Sequence, residues 1–381
     1  MERRITKINH RQRTQLADRR RFLKLSGKIG LMAATMGFSG VTIGSGSSIS
    51  RSQAAEVDVL ADRPHHHTAD GFRNPPGSPT HEHNLSNWVK HIWRELAGDD
   101  PELPEDHFLG EGRAAAELAQ TGNDDKITWL GHSSFLLRLS DTNLLLDPFL
   151  SDYATSMPPF GPKRYTPPGL PVEKLPKIDL IIISHNHYDH LDGATLTALP
   201  NRRNIPIIVP LRLREICLEL GYEKVTELDW YEAEKSGPIT VTALPAIHLS
   251  GRGLFDRNET LWTGYAITDG RTKIHFCGDT AYHPLFKEIG RKYGPFDYGL
   301  VPIGAYRPQP MKNGAHATPE EAVNLGRDLR ASKLIPIHWG SIILSQAPPF
   351  EAPERFFKAG LEAGYDELSL WKMKVGETRV I

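Results

Sequence analysis

The chain has few cysteines and almost no net charge, and these two features limit the classes of protein to which it can belong. Its 381 residues include two cysteines, Cys217 and Cys277, which lie far apart beside apolar neighbours. We therefore expect two buried free thiols rather than a disulfide. The formal net charge of −1 supplies no extended positive field, so nucleic acid is not an expected partner. The hydrophobic content of 39% is ordinary for a soluble globular protein.

The first 54 residues also lack a long purely apolar run, although they have the order of an export signal. Residues 18–24, Asp-Arg-Arg-Arg-Phe-Leu-Lys, resemble the core of a twin-arginine signal. Residues 25–49 are only moderately apolar and contain many Gly and Ser, which makes a poor transmembrane helix. We expect residues 1–54 to be a twin-arginine-type signal peptide, with small residues for cleavage at 52–54. The protein would then be periplasmic, or membrane-associated and facing the periplasm; the alternative is a disordered basic tail.

Residues 55–125 are expected to form an extended leader and a helix packed on the main domain. The leader, up to residue 84, is rich in Pro, Gly, His and Asp and has no sustained periodicity. It contains His65-His66-His67. Such a run can pick up metal adventitiously, but we expect it to be part of a solvated tail. Between residues 84 and 97, apolar residues recur at helical spacing. This pattern favours a helix packed on the core over one at a lipid interface.

Residues 126–381 alternate short apolar segments with turn signals, and we expect them to form the catalytic domain. Strand patterns occupy residues 127–130, 135–139, 143–146, 180–183, 205–209, 225–228, 239–244, 261–267, 273–276 and 334–337. Early strands look antiparallel, whereas strands and helices alternate later. The expected fold class is therefore α/β (α+β), with two mixed sheets covered by helices.

The strongest functional signal is the stretch 180–192, where four apolar residues run into a concentration of imidazoles and carboxylates. His185 and His187 alternate, so both rings can reach one cation. Asp189 and His190 are adjacent and point differently, which suits a second cation close by. We interpret this segment as a metal site, most simply one for two metals.

Three further donors share one pattern, in which a buried strand pattern is followed by a single metal-binding side chain. They are His248, Asp279 and His338. Taken alone, each would more often be a satisfied buried polar residue than a ligand. Because α/β folds place their chemistry at the carboxyl ends of strands, the repetition predicts that these residues complete the metal site.

The stretch Ser-His-Asn-His-Tyr-Asp-His-Leu-Asp, residues 184–192, resembles the His-x-His-x-Asp-His signature of the metallo-β-lactamase superfamily. The resemblance implies an αβ/βα sandwich with a dinuclear site at one edge, in which Asp279 bridges the two ions. It also implies the ligands of each ion: His185, His187 and His248 for the first, and Asp189, His190 and His338 for the second.

Further segments are similar to the branch of that superfamily that hydrolyses N-acyl-phosphatidylethanolamine as a phospholipase D. They are residues 127–132, 161–165, 227–230, 294–297, 302–306 and 337–340. The similarity covers the chain from about Gly71 onward. It implies a membrane-associated, Zn²⁺-dependent phosphodiesterase with a phospholipid substrate, and the branch suggests a homodimer. Residues 246–252 depart from the pattern, because they are smaller and less aromatic than the branch leads us to expect.

The expected nucleophile is a hydroxide bridging two Zn²⁺ ions, with His316 and Asp189 as catalytic residues. By the resemblance His316 lies at the active site, where it would protonate or position the leaving group. Asp147, at a strand end, is expected to accept a hydrogen bond from a ligand imidazole. His132 is a weaker candidate for the same supporting role, with a buried structural histidine as the alternative. Asp192 is expected to start a helix.

Two other functions remain open at this stage. The same ligands would serve a dinuclear hydrolase of another ester class, such as a lactonase. A non-enzymatic envelope protein that binds lipid or metal is the other alternative, but the presence of all seven expected ligands argues against it. A redox di-iron role is disfavoured because such relatives usually carry a carboxylate in place of His187.

Overall fold

The computed structural model describes residues 64–79, 100–253, 255–307 and 314–381. The predicted signal peptide (residues 1–54) and the predicted helix between residues 84 and 97 lie outside these ranges. Among the described residues, none of the helices combines the length and the apolar character needed to cross a bilayer.

Strands of the described residues form two mixed sheets. The first contains β1 (Lys126–Gly131), β2 (Ser134–Leu139), β3 (Thr142–Leu146), β4 (Leu180–Ile182), β5 (Ile207–Pro210), β6 (Val225–Leu228) and the final strand β13 (Thr378–Val380). Their order is β13-β1-β2-β3-β4-β5-β6. Neighbours from β13 to β3 are antiparallel and those from β3 to β6 are parallel.

The second sheet contains β7 (Ala233–Ser236), β8 (Ile239–Leu244), β9 (Gly264–Thr268), β10 (Lys273–Phe276), β11 (Phe296–Pro302) and β12 (Ala331–Ile337). Their order is β12-β11-β10-β9-β8-β7. Because β8 and β10 are each antiparallel to β9, and β10 to β12 are parallel, four of these strands run in one direction. Their carboxyl ends consequently lie at the same edge of the sheet.

The described helices are α1 (Glu111–Gln120), α2 (Gly193–Ala198), α3 (Arg214–Glu219), α4 (Leu285–Lys292), α5 (Pro319–Asp328) and α6 (Glu351–Glu362). Asp192 caps α2 by accepting the N–H of Ala194, which confirms its expected place at a helix start. Thr318 and Glu321 cap α5 reciprocally.

The core explains the unbroken apolar run of β4. Leu180 and Ile182 pack in a cluster that joins the two sheets, whereas Ile181 and Ile183 pack in a second cluster that includes residues of α1, α2 and α3. A strand buried on both faces has no polar alternation. The two cysteines are free and buried, as predicted. Two mixed sheets with helices confirm the predicted fold class.

The strand patterns in the sequence do not predict β11, although it is an interior strand of its sheet. Its sequence contains Gly299 and the exposed Asp297, which interrupt the apolar signal. Packing favours the glycine, because an added Cβ would lie in tight contact at 3.1 Å from Ala331 Cβ and 3.2 Å from Leu334. Pairing with two parallel neighbours, rather than local pattern, defines this strand.

Residues 64–79, called here the N-terminal segment, pack on the main domain. Phe72 is buried with Trp230 and Trp262, and its N–H donates to Asn258 O over 2.8 Å. The expectation of a solvated tail for His65-His66-His67 is wrong for the second histidine, because His66 is only 7% exposed. The burial of Phe72 brings this part of the segment onto the domain.

Candidate active site

The chemistry-bearing side chains lie just beyond strand ends of both sheets. Asp147 follows β3 directly and His338 follows β12 directly, while the segment with His185 follows β4. His248 and Asp279 lie a few residues beyond β8 and β10. Asp147 and His338 have positive φ values of 37° and 62°, a conformation that costs energy for residues other than glycine and recurs at functional sites.

All seven predicted ligands are brought into one cluster, with the carboxylate of Asp279 at its centre. The distances from Asp279 Oδ2 to the Nε2 atoms of its neighbours are 3.0 Å (His338), 3.3 Å (His190), 3.7 Å (His248) and 3.9 Å (His185). A single oxygen surrounded in this way is placed to contact cations on two sides.

Two groups of donors can be distinguished, each with its ligand atoms within 4.8 Å of one another. We call them the first and second halves of the cluster. The first comprises His185, His187 and His248 with Asp279, and the second comprises Asp189, His190 and His338 with His132. This division matches the two ligand sets implied by the resemblance, with His132 added to the second.

The first half is held by uncharged groups. His185 Nδ1 donates to Ser184 Oγ over 2.9 Å, and His248 Nδ1 donates to the carbonyl of Ala315 over 2.8 Å. The side chain of Asn74 pairs with the main chain of His248, because Asn74 Nδ2 donates to His248 O over 2.8 Å and His248 N donates to Asn74 Oδ1 over 3.1 Å. These contacts fix the orientation of both rings.

The second half is held by buried ionisable groups. Asp147, fully buried, accepts from His190 Nδ1 over 2.6 Å and from Ser184 N over 2.7 Å. Burial, reinforced by His338, lowers the pKa of His132 to about 3, so this ring is neutral. Its Nε2–H donates to Asp189 Oδ2 over 2.9 Å. Asp147 and His132 thus each hydrogen-bond to a residue of the second half.

The electrostatics of the cluster favour added positive charge. Burial by itself would lower the pKa of His190, but the surrounding Asp279, Asp189 and Asp147 hold it well above its ordinary value. Burial would raise the pKa of Asp279, but His190 and His338 hold it well below its ordinary range. Buried carboxylates at this spacing are therefore ionised, and their negative charge favours the binding of cations.

In the described part of the chain, several buried donor atoms of the cluster lack a hydrogen-bond partner although they lie close together. Within the described residues, His190 Nε2, His338 Nε2 and Asp279 Oδ1 have no hydrogen-bond partner. Buried polar atoms are normally paired, and imidazole nitrogens with carboxylate oxygens are the ligands preferred by Zn²⁺. The residues present therefore fit a divalent metal centre.

His316 lies beside the cluster without belonging to either half. Its Nδ1 is 3.9 Å from Asp279 Oδ2, and its ring centroid is 5.2 Å from that of His248 and 5.1 Å from that of His338. The next residue, Ala317, donates its N–H to Thr280 O over 2.8 Å. His316 is thus held where it faces both halves.

Arg252 and Ser184, like Asn74, support the site without having been identified from the sequence. The guanidinium of Arg252 donates to Asn186 O over 2.7 Å and to Leu191 O over 2.8 Å, and its Cζ lies 3.8 Å from the ring centroid of Tyr188. Arg252 therefore secures both ends of the loop that carries Asp189 and His190. The signal for these residues is long-range pairing, which local patterns do not carry.

A small cavity of about 40 Å³ adjoins the second half of the cluster. His132 and His338 form part of its wall, and Tyr165, Tyr306 and Ile342 are among its other lining residues. A cavity of this size admits a few water molecules beside the donor cluster and is far smaller than a typical ligand pocket.

The fold and the donor cluster define a class of proteins. Residues 142–339 match the beta-lactamase superfamily domain. Among solved structures, the chain is similar to a possible metal-dependent hydrolase from Veillonella parvula, with a TM-score of 0.55 and 16% identity over 68% of this chain and 100% of that one. At this identity the likeness shows the fold.

Relatives at higher identity narrow the class to a branch. The chain is 38% identical over 311 residues to N-acyl-phosphatidylethanolamine-hydrolyzing phospholipase D 1 of Caenorhabditis elegans, covering 77% of this chain and 86% of that protein. It is 35% identical over 225 residues to the mitochondrial protein of that name from Saccharomyces cerevisiae, covering 57% of this chain and about half (48%) of that protein. The chain belongs to the metallo-β-lactamase superfamily, in its N-acyl-phosphatidylethanolamine-hydrolysing phospholipase D-like branch, and is a metal-dependent hydrolase.

Proposed function

We propose that the protein is a phosphodiesterase of the phospholipase D type. Its substrate would be N-acyl-phosphatidylethanolamine, and its products N-acylethanolamine and phosphatidic acid. The observation that carries the proposal is the cluster of seven donor residues centred on Asp279. A nematode relative that is similar over most of this chain is named for this reaction.

Two Zn²⁺ ions are the proposed cofactors. His185, His187 and His248 would hold one and Asp189, His190 and His338 the other, with Asp279 between them. Bound there, the ions would activate water near neutral pH and polarise the phosphoryl oxygens. The division of the donors into two halves and the unpartnered buried atoms among the described residues support this assignment.

The protein's own groups would supply proton transfer and orientation. Asp189 is held by His132 and faces the cluster, so its carboxylate can accept a proton from the attacking water. The ethanolamine oxygen is a poor leaving group unless it is protonated. His316 lies next to Asp279 and can donate that proton.

The cellular setting is also a proposal. Residues 1–54 would export the protein by the twin-arginine route, leaving residues 55–125 as the leader and 126–381 as the catalytic domain. A phospholipid substrate implies peripheral contact with a membrane, and the branch suggests a homodimer. Replacing both Arg19 and Arg20 by Lys should retain the protein in the cytoplasm; an unchanged periplasmic yield would remove the export proposal.

The activity is tested with purified, Zn²⁺-loaded protein and a lipid panel, with products identified by mass spectrometry. N-acyl-phosphatidylethanolamine should yield phosphatidic acid and N-acylethanolamine, and the matched Asp279→Ala variant should not. The panel should include lactones, because the same donors could serve that chemistry. Rapid lactone opening without phosphatidic acid would replace the proposed function by a lactonase.

A further inference from the structure

A second group of metal-binding side chains lies outside the catalytic cluster, where the N-terminal segment meets the loop after β6. His66 Nε2 lies 2.6 Å from Asp229 Oδ1, and His67 Nε2 lies 2.7 Å from Asp229 Oδ2. One donor atom from each of the three residues lies within 4.8 Å of the others. Two successive imidazoles thus face the same carboxylate, across 162 and 163 positions of sequence.

We propose that His66, His67 and Asp229 form a third metal site, which binds a divalent transition-metal ion of the Zn²⁺ type and fastens the N-terminal segment to the domain. Two imidazoles and one carboxylate are a common protein ligand set for such ions. The side chains of His67 and Asp229 are 18% and 16% exposed, so water can reach the site and complete the coordination.

The backbone around His66 and His67 forms a closed turn, which directs both rings to one side. His67 N donates to Pro64 O over 2.9 Å, and Arg73 N donates to His66 O over 2.9 Å. Consecutive residues in an extended strand would project in opposite directions. The turn therefore converts an adjacent pair of histidines into two convergent donors.

The carboxylate and one imidazole are also fixed by their neighbours. The ring of His66 stacks on Trp230 with centroids 4.1 Å apart. Trp230 N donates to Asp229 Oδ1 over 2.8 Å, and Asp229 N donates to Glu232 Oε2 over 2.8 Å. Pre-oriented donors lose less conformational entropy when an ion binds.

The protonation states required for metal binding are accessible at neutral pH. Burial by itself would raise the pKa of Asp229, but hydrogen bonds from His66 and His67 outweigh it and lower that pKa, so the group is a carboxylate. A neutral imidazole can transfer its proton to Nδ1 and present the Nε2 lone pair.

The spacing of the donors resembles that of the catalytic cluster. There, His185 Nε2 and His187 Nδ1 lie 2.7 Å apart, close to the separations around Asp229. Two ligands at about 2.0–2.1 Å from one tetrahedral Zn²⁺ would lie roughly 3.3 Å apart. Within each imidazole–carboxylate pair, binding therefore requires the two donors to separate by less than about 1 Å, which side-chain rotation can supply.

The test is a metal count on the full chain, stripped with a chelator, reloaded with Zn²⁺, passed through gel filtration and measured by mass spectrometry. We expect three zinc ions per chain in the wild type and two in the His66→Gln, His67→Gln double variant. The matched control is His65→Gln, which changes the exposed histidine next to the site and should retain three.

A wild type that binds two ions, or a double variant that keeps the third, would overturn the proposal. If the double variant does not fold, as judged by circular dichroism, Asp229→Asn preserves the side-chain shape and should also bind one ion fewer. Co²⁺ loading gives a second readout, since the double variant should lose one equivalent of Co²⁺ absorption. The site does not depend on the proposed activity, because Asp279→Ala should disturb the catalytic ions and retain the ion at Asp229.

Discussion

The two halves of the donor cluster are held in place by different kinds of chemistry. In the first half, a hydroxyl, a carbonyl and the amide of Asn74 support His185 and His248. In the second half, Asp147 supports His190 and a neutral His132 supports Asp189. The orientation of the donors in the first half therefore depends on neutral hydrogen-bonding groups, including one from the docked N-terminal segment. The orientation of the donors in the second half depends on buried charge.

Replacing Asp279 should weaken both halves together, because its carboxylate lies between them. For Asp279→Ala we expect both ions to be held more weakly and hydrolysis to fall by at least the ~10²–10³-fold seen on removal of a single preorganised catalytic donor. Zinc content and the steady-state rate are measured on the same preparation. Full zinc content with wild-type activity would contradict the central place of Asp279.

His316 should behave unlike either half, because it faces both and is proposed to protonate the leaving group. His316→Ala should lower kcat by roughly 10²-fold or more, the usual contribution of a positioned general acid, while zinc content stays at the wild-type level. His316→Gln, which retains bulk and polarity, should not restore the rate. A loss of zinc equal to that of a ligand variant would instead make His316 a ligand.

Charge removal should act on the second half. In Asp147→Asn, His190 Nδ1 keeps a neighbour of the same shape but loses the carboxylate, which should weaken the ion of that half ~10–100-fold. Chelator competition, followed by zinc release, should show one ion leaving earlier than the other. Asp152→Asn removes an exposed carboxylate nearby and is the matched control. Equal weakening of both ions would mean that the halves are not separately supported.

A change in the N-terminal segment should act on the first half. Asn74→Asp keeps an acceptor for His248 N but removes the donor to His248 O, leaving a buried carbonyl unpaired at a cost of about 1–3 kcal/mol. We expect a smaller effect than for Asp147, confined to the ion of the first half. Ser78→Ala, which removes a hydroxyl that donates locally to Pro75 O, is the control from the same segment. Unchanged zinc release in Asn74→Asp would remove the segment from the account.

The clustering of the donor residues could be predicted from the sequence because each follows a buried strand or lies in one dense segment. His248, Asp279 and His338 needed only the strand pattern before them, and the spacing of His185 and His187 needed only local geometry. The supports could not be predicted in this way. Asn74 and His248 are 174 positions apart, and nothing in a local pattern pairs them.

The N-terminal segment is a second case in which the local sequence pattern does not predict the structure. His65-His66-His67 has the composition of a solvated tail, and the burial of His66 follows from Phe72 and from Asp229, a residue of the distant loop after β6. Strand β11 was missed for a comparable reason, because Gly299 is selected by contacts with β12 rather than by its own strand propensity. Tertiary context decided each of these cases.

The measurement that tests the central claim most directly is hydrolysis of N-acyl-phosphatidylethanolamine in ¹⁸O-labelled water by the Zn²⁺-loaded enzyme. Attack of water at phosphorus predicts one labelled oxygen in phosphatidic acid and none in N-acylethanolamine. Label in the N-acylethanolamine, label in a released fatty acid, or an absence of both products would contradict the account.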